Sequence, residues 1–330
     1  MSSSDPDAAG ARPPGRSRAA RLLRWGGIAI AILAIALLAK TLADQWSSIR
    51  SAIAHANVGW ILVGLVCAAA SMAGLGLLWW RCLHAFGERP SKREALAWYF
   101  GGELGKYVPG GIWPVLGRGE LAQRAGVRRS TSYVTTLISY GAMCIAAAMA
   151  CGILAPFIAA DRNGKGLGWG WLMVAFIPIG AIAVHPAIMG RLLELGRKIT
   201  HGRVELRAQP WPTMLELIAW SIPTWLLVGG TSVAVTEALG YDQHPARVAF
   251  AAIAAWILGF LAVPVPAGAG LRELVFLAVC GLPHAPAVAV AAIARLLFII
   301  VDGGGGITGL WYARHQPSSS SPEKEQETVP

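Results

Sequence analysis

Charge is what this chain has least of. Only 14% of its 330 residues are Asp, Glu, Lys or Arg, and 55% are hydrophobic, whereas a soluble domain carries about 25% charged residues. That shortage, with a mean hydropathy of +0.52, excludes a soluble globular protein and indicates an integral membrane protein. Cys67, Cys82, Cys144, Cys151 and Cys280 lie in or beside apolar runs without C-x-x-C spacing. Neither a disulfide framework nor a zinc site is indicated, and the five read as small packing residues. The seven histidines form no H-x-x-x-H or H-E-x-x-H pattern, which excludes the common zinc hydrolase signatures. No metal and no cofactor is expected. The run Gly303 to Gly306 is not followed by G-K-[ST] or preceded by a strand pattern, so it is not a phosphate loop and ATP hydrolysis is not expected.

What the chain has instead is apolar length. A run of roughly 18 apolar residues crosses a bilayer core of about 30 Å as a helix, and six stretches qualify: 25–42, 58–80, 130–157, 168–190, 211–239 and 287–312. The first reads as an uncleaved anchor or as a signal peptide with a faint cleavage pattern at Thr41-Leu42-Ala43; the five arginines ahead of it and the membrane content behind it favour the anchor. Basic loops resist translocation. With the N-terminus in the cytoplasm, about 18 Lys and Arg side chains fall on the cytoplasmic side and about 5 outside: Lys40, Arg50, Arg162, Lys165 and Arg247. The net charge of +10 is then insertion grammar with some attraction to anionic lipid, and no nucleic-acid partner is implied. Tryptophans such as Trp25, Trp60, Trp80, Trp211 and Trp311 sit at span ends, where amphipathic rings prefer the headgroup layer. The expected organisation is a disordered basic tail (1–24), a polytopic membrane domain (25–314) and a second disordered tail (315–330). Both tails lie in the cytoplasm, and the membrane is the cytoplasmic one.

Two segments do not fit a simple spanning count. "KYVPGGIWPVLGR", residues 106–118, lies between cytoplasmic arginines, so the hairpin near 94–125 begins and ends on one side. Two half-helices, 94–104 and 112–124, broken at Gly101, Gly102, Gly105, Pro109, Gly110 and Gly111, make a re-entrant hairpin; the alternative is a pair of amphipathic helices lying on the cytoplasmic surface. The segment near 248–282 is similar, with Pro264, Pro266, Gly268 and Gly270 separating a short apolar helix from another at 271–282. It starts and ends outside. The fold class expected is therefore an all-α polytopic membrane protein of about six transmembrane helices plus two re-entrant hairpins, arranged as an inverted repeat of the transporter kind.

Each hairpin has a half-helix whose N-terminus points into the protein, near Gly110 and Gly111 in the first and near Gly268 and Gly270 in the second. Free N–H groups and the positive end of the helix dipole suit a phosphate there, and Lys106, Arg118 and Arg272 add charge-assisted bonds to a lipid headgroup. Charges inside spans cost roughly 2.5–3.5 kcal/mol each, so Glu103, Glu273, Arg295 and Asp302 need a reason. Glu103 is expected to pair with Lys106 across the break or to meet headgroups, and Glu273 to cap its own helix. Arg295 and Asp302 share a helix face seven residues apart, as a structural pair linked to Arg272 or Glu273, or as part of a transport path. Glu216 reads as an interfacial charge and His185 as a packing residue. No catalytic residue is assigned.

"KYVPGGIWPVLGR" resembles the K-Y-[IV]-P-G-[GN]-x-W-x-x-x-G-R motif of the lysylphosphatidylglycerol synthase transmembrane family, and "PAGAGLRE", residues 266–273, resembles its P-G-G-x-G-x-R-E, departing at Ala267. The resemblance covers nearly the whole membrane portion and implies translocation of a lipid or lipid-linked molecule between leaflets. The cytosolic aminoacyl-transfer domain of two-part members has no counterpart in the short stretch after Tyr312. The leading expectation is thus a flippase-like translocase for an anionic phospholipid or lipid-linked substrate, with a separate lipid-modifying enzyme as a partner, and not itself an enzyme. The alternatives are a membrane subunit of an enzyme acting on lipid-linked sugars or phospholipids, with Glu103, Glu120 or Glu273 as base, and a membrane scaffold for a cytosolic protein.

Overall fold

The computed structural model describes residues 50, 54, 56–107, 111–159, 168–199, 209–262, 268 and 270–315. The stretch 25–42, the tail 1–24, residues 316–330 of the second tail and Gly110 lie outside the described residues. Ten α-helices are described: α1 Val58–Ala85, α2 Lys92–Glu103, α3 Trp113–Arg124, α4 Arg129–Ala159, α5 Phe176–Ala183, α6 Pro186–Ile199, α7 Trp211–Ala238, α8 Pro245–Leu261, α9 Leu271–Val279 and α10 His284–Arg314. Short 3-10 turns, Leu104–Tyr107 and Gly168–Ala175, extend α2 and precede α5. Among the described residues four helices, α1, α4, α7 and α10, are long and apolar enough to cross a membrane.

Local chemistry sets the boundaries. Asn57 caps α1 by accepting from the Gly59 amide at 2.9 Å. Ser91 opens α2 with a capping box, its own amide donating to Glu94 at 2.7 Å, which satisfies two donors that a helix start leaves orphaned. The predicted span 168–190 is not one helix. It is a 3-10 turn, the eight-residue α5, a break at Val184 and His185, and then α6, because Pro186 disfavours helical backbone at the residue before it. The 3-10 turn and α5 pack on α4 and together rise on the order of 28 Å at about 2.0 and 1.5 Å per residue. Trp211 Nε1 donates to the Ala181 carbonyl at 3.0 Å and its ring meets His185 edge-on at 5.4 Å, so His185 packs where expected.

The remaining helices form two matching halves. The first is α1, the hairpin α2–α3, and α4; the second is α7, the hairpin α8–α9, and α10. Exchanging α1 with α7, α2 with α8, α3 with α9 and α4 with α10 maps every substantial packing pair among these eight helices onto another: α2 lies on α10 as α8 lies on α4, and α1 packs on α7 at the exchange axis. That central pair is antiparallel. The Asn57 amide at the start of α1 donates to the Ala238 carbonyl at the end of α7 (2.8 Å), and Arg81 near the end of α1 pairs with Glu216 near the start of α7 (2.5 Å). Related helices that run antiparallel make the repeat inverted, so the two hairpins enter from opposite ends of the bundle.

Glycine permits the close approaches that shape the hairpins. A Cβ on Gly102 would lie 2.8 Å from the Arg118 amide nitrogen, and one on Gly117 would lie 3.0 Å from the Gly102 Cα, so α2 and α3 touch backbone to backbone. The second hairpin closes the same way, with Gly268 at φ +65° against Gly259. On α10, Gly305 receives Phe100, Gly306 receives Leu104, and Gly309 faces the Ala97 carbonyl, where a Cβ would lie at 2.5 Å. Replacing Gly309 by Ala is therefore expected to destabilise the fold by about 1–3 kcal/mol through overpacking. Gly141→Ala, whose Cβ meets nothing within 4 Å, is expected to leave the thermal midpoint unchanged or raise it; melting curves of the two variants in one detergent check the contrast.

Candidate functional site

The backbone contact of Gly102 with α3 brings Glu103 and Arg118 together. Arg118 Nη2 donates to Glu103 Oε2 at 2.5 Å, and Lys106 Nζ lies 3.3 Å from Glu103 Oε1. Lys106 also meets Asp302 Oδ2 on α10 at 2.7 Å, and the Tyr107 hydroxyl donates to the same oxygen at 2.8 Å. A continuous chain of charge, Arg118–Glu103–Lys106–Asp302, thus runs from α3 to α10. Arg118 is only 1% exposed. Its guanidinium lies over the rings of Tyr99 at 4.0 Å and Tyr140 at 5.4 Å, while its Nε and Nη1 have no hydrogen-bond partner among the described residues.

The second hairpin brings Arg272, whose guanidinium stands over the Trp256 ring at 5.0 Å and has no ion-pair partner among the described residues. Glu273 instead takes Arg295 of α10 as its ion-pair partner, and its other oxygen accepts from the Gly270 amide at 2.7 Å.

These groups converge on a cavity of about 350 Å³ between the two hairpins. Its charged lining is Glu103, Lys106, Arg118 and Arg272, its wall includes Tyr99, Tyr140, Trp256 and Phe260, and Gly111 and Gly268 contribute backbone. Trp256 and Phe260 stack at an interplanar angle of 17°. At the rim Ile112, Leu137 and Leu261 are exposed apolar side chains. Two smaller chambers lie behind Arg272: one beside Glu273, Arg295 and Phe298, the other between Lys106, Tyr107, Arg295 and Asp302.

The geometry settles several expectations read from the sequence. Lys106, Arg118 and Arg272 do share one cavity, and Glu103 pairs with Lys106 across the break. Glu273 caps α9, as expected, which occupies the Gly270 amide and leaves that part of the α9 N-terminus closed to a ligand. Gly110 lies outside the described residues. Arg295 and Asp302 do not pair with each other: Arg295 turns to Glu273 and Asp302 to Lys106. The three glutamates considered as bases are each held by cations, Glu120 by Arg129 and Arg124. Tyr140 and Trp256 were missed, although each interrupts the middle of an apolar run where an interfacial anchor has no use.

Because Arg118 is buried, Glu103→Gln would leave its cation uncompensated, and breaking a buried pair in this way costs roughly 3–5 kcal/mol. The double variant Glu103→Gln, Arg118→Met is expected to recover most of that loss, measured as thermal midpoints of the purified proteins.

The model of the lysylphosphatidylglycerol synthase TM region matches residues 24–302. No match was found among curated proteins. The matched stretch contains both hairpins and every charged group of the cavity, and it extends over well more than half of the chain. This multi-pass membrane protein belongs to the family of the lysylphosphatidylglycerol synthase TM region.

Proposed function

We propose that the protein is a lipid translocase whose cavity takes the anionic headgroup of a phospholipid or lipid-linked molecule while the acyl chains stay in the bilayer. Membership of the family supports a membrane lipid-related role. The observation that carries the finer reading is the unfinished bonding of the cavity cations. Among the described residues, Arg118 keeps two buried donor atoms without acceptors, and Arg272 is stacked on Trp256 with no carboxylate of its own. A buried donor left unmade costs about 1–3 kcal/mol, more when charged, and a phosphate oxygen supplies what is missing. The apolar rim at Ile112, Leu137 and Leu261 suits the start of the acyl chains, so only the headgroup leaves lipid.

Hairpins entering from opposite ends are the arrangement from which alternating exposure of a site between them can be built. The lipid is moved and not chemically changed, so the enzyme that makes or modifies it is a separate partner, and the membrane concerned is the cytoplasmic one.

The test is headgroup-selective movement in proteoliposomes. The wild-type protein is expected to move fluorescent phosphatidylglycerol between leaflets faster than fluorescent phosphatidylcholine. Arg272→Gln is expected to slow the anionic lipid by about tenfold or more, equivalent to some 1.4 kcal/mol, with the zwitterionic lipid unaffected. Folded protein that moves no anionic lipid above the rate of empty vesicles would refute the reading.

A further inference from the structure

Lys106 serves two cavities. It lines the large one between the hairpins and the small one behind it, where its ammonium meets Asp302. Asp302 is 1% exposed, and its second oxygen, Oδ1, has no hydrogen-bond partner among the described residues. Tyr107 donates to the same oxygen that Lys106 holds, so Asp302 is the polar anchor of the first hairpin's tip on α10.

Two glycines without a packing role follow at once. Added Cβ atoms on Gly303 and Gly304 would meet nothing within 4 Å, whereas Gly305, Gly306 and Gly309 are filled by α2 and the 3-10 turn that extends it. Glycine inside a helix weakens it relative to alanine, and two in succession with nothing packed on them leave α10 locally weak beside Asp302. Thr308 supplies a pointer: its hydroxyl donates to the Gly304 carbonyl at 2.8 Å, a back-bond that often bends helices. α10 is one continuous helix, and Gly303–Gly304 separates two differently anchored parts of it. Its C-terminal part is keyed into α2, and its N-terminal part is held to α9 through Arg295 and Glu273. The Lys106–Asp302 pair straddles the division.

We infer that α10 is a hinge held straight by the Lys106–Asp302 pair, and that it bends at Gly303–Gly304 when an anionic headgroup in the cavity draws Lys106 away from Asp302. The inference rests on the headgroup-binding reading of the cavity. It makes the first hairpin and the C-terminal part of α10 one moving body, with Asp302 as the positioning residue that keeps the body closed until a ligand arrives. A ligand shifts such an equilibrium only through a difference in its contacts with the two states, and Lys106 is the contact that differs.

The experiment places spin labels at His284→Cys and Trp311→Cys, the two ends of α10, in the full chain with its five native cysteines replaced by alanine. Distances are read in nanodiscs of phosphatidylcholine alone and of phosphatidylcholine mixed with phosphatidylglycerol. The reference protein is expected to show one distance in the first and an added shorter one in the second. Asp302→Asn is expected to show the shorter distance without phosphatidylglycerol. The variant Gly303→Ala, Gly304→Ala fills open space, keeps its fold, holds the longer distance throughout and slows phosphatidylglycerol movement by about tenfold or more. A single unchanged distance in both the reference protein and Asp302→Asn overturns the hinge, as does a double-alanine variant that bends like the reference. A bent population without lipid movement supports the hinge and removes the translocase.

Discussion

The ion pair between Glu103 and Arg118 is the constraint from which the first hairpin takes its form. A guanidinium with 1% exposure is stable only beside a carboxylate and other favourable groups, since an uncompensated ion in a low-dielectric interior costs several kcal/mol. Glu103 reaches it because α2 and α3 approach to backbone contact at Gly102 and Gly117. Bulkier residues at these two points would push the helices apart and separate the charges. The aromatic rings of Tyr99 and Tyr140 then cover the faces of the guanidinium, a contribution of about 0.5–2 kcal/mol each by the usual strength of such contacts.

The second hairpin repeats the backbone solution and changes the electrostatic one. Gly259 and Gly268 close it as Gly102 and Gly117 close the first, yet its carboxylate, Glu273, is directed to Arg295 and to its own helix cap. Arg272 is left facing the cavity. The two halves therefore share an architecture without sharing a charge pattern, and the difference places an unbalanced cation on one wall only. That asymmetry makes the two walls of the cavity electrostatically unequal.

Much of this was legible in the sequence because membrane burial makes charge and glycine expensive, so each one present carries information. The two proline- and glycine-rich interruptions, the three cavity cations Lys106, Arg118 and Arg272, and the opposed hairpins were all readable in the sequence. Pairing was less legible. Residues 295 and 302 share a helix face, but which partner each chooses depends on how α2 and α9 pack against α10, and no local pattern encodes that. The stretch 168–190 read as one span because hydropathy does not register a turn at His185 before Pro186. The aromatic wall was overlooked for a similar reason: Tyr140 and Trp256 add to apolar content whether they face lipid or a cavity.

The antiparallel contact of α1 with α7 imposes a parity on the chain between the halves. From the end of α4 to the start of α7 the polypeptide must pass from one end of the bundle to the other, an odd number of crossings. An even number would turn the second half over, and both hairpins would then enter from the same end of the bundle. The crossing between the halves thus determines how they face each other, although none of its described residues, 168–199, lines the cavity.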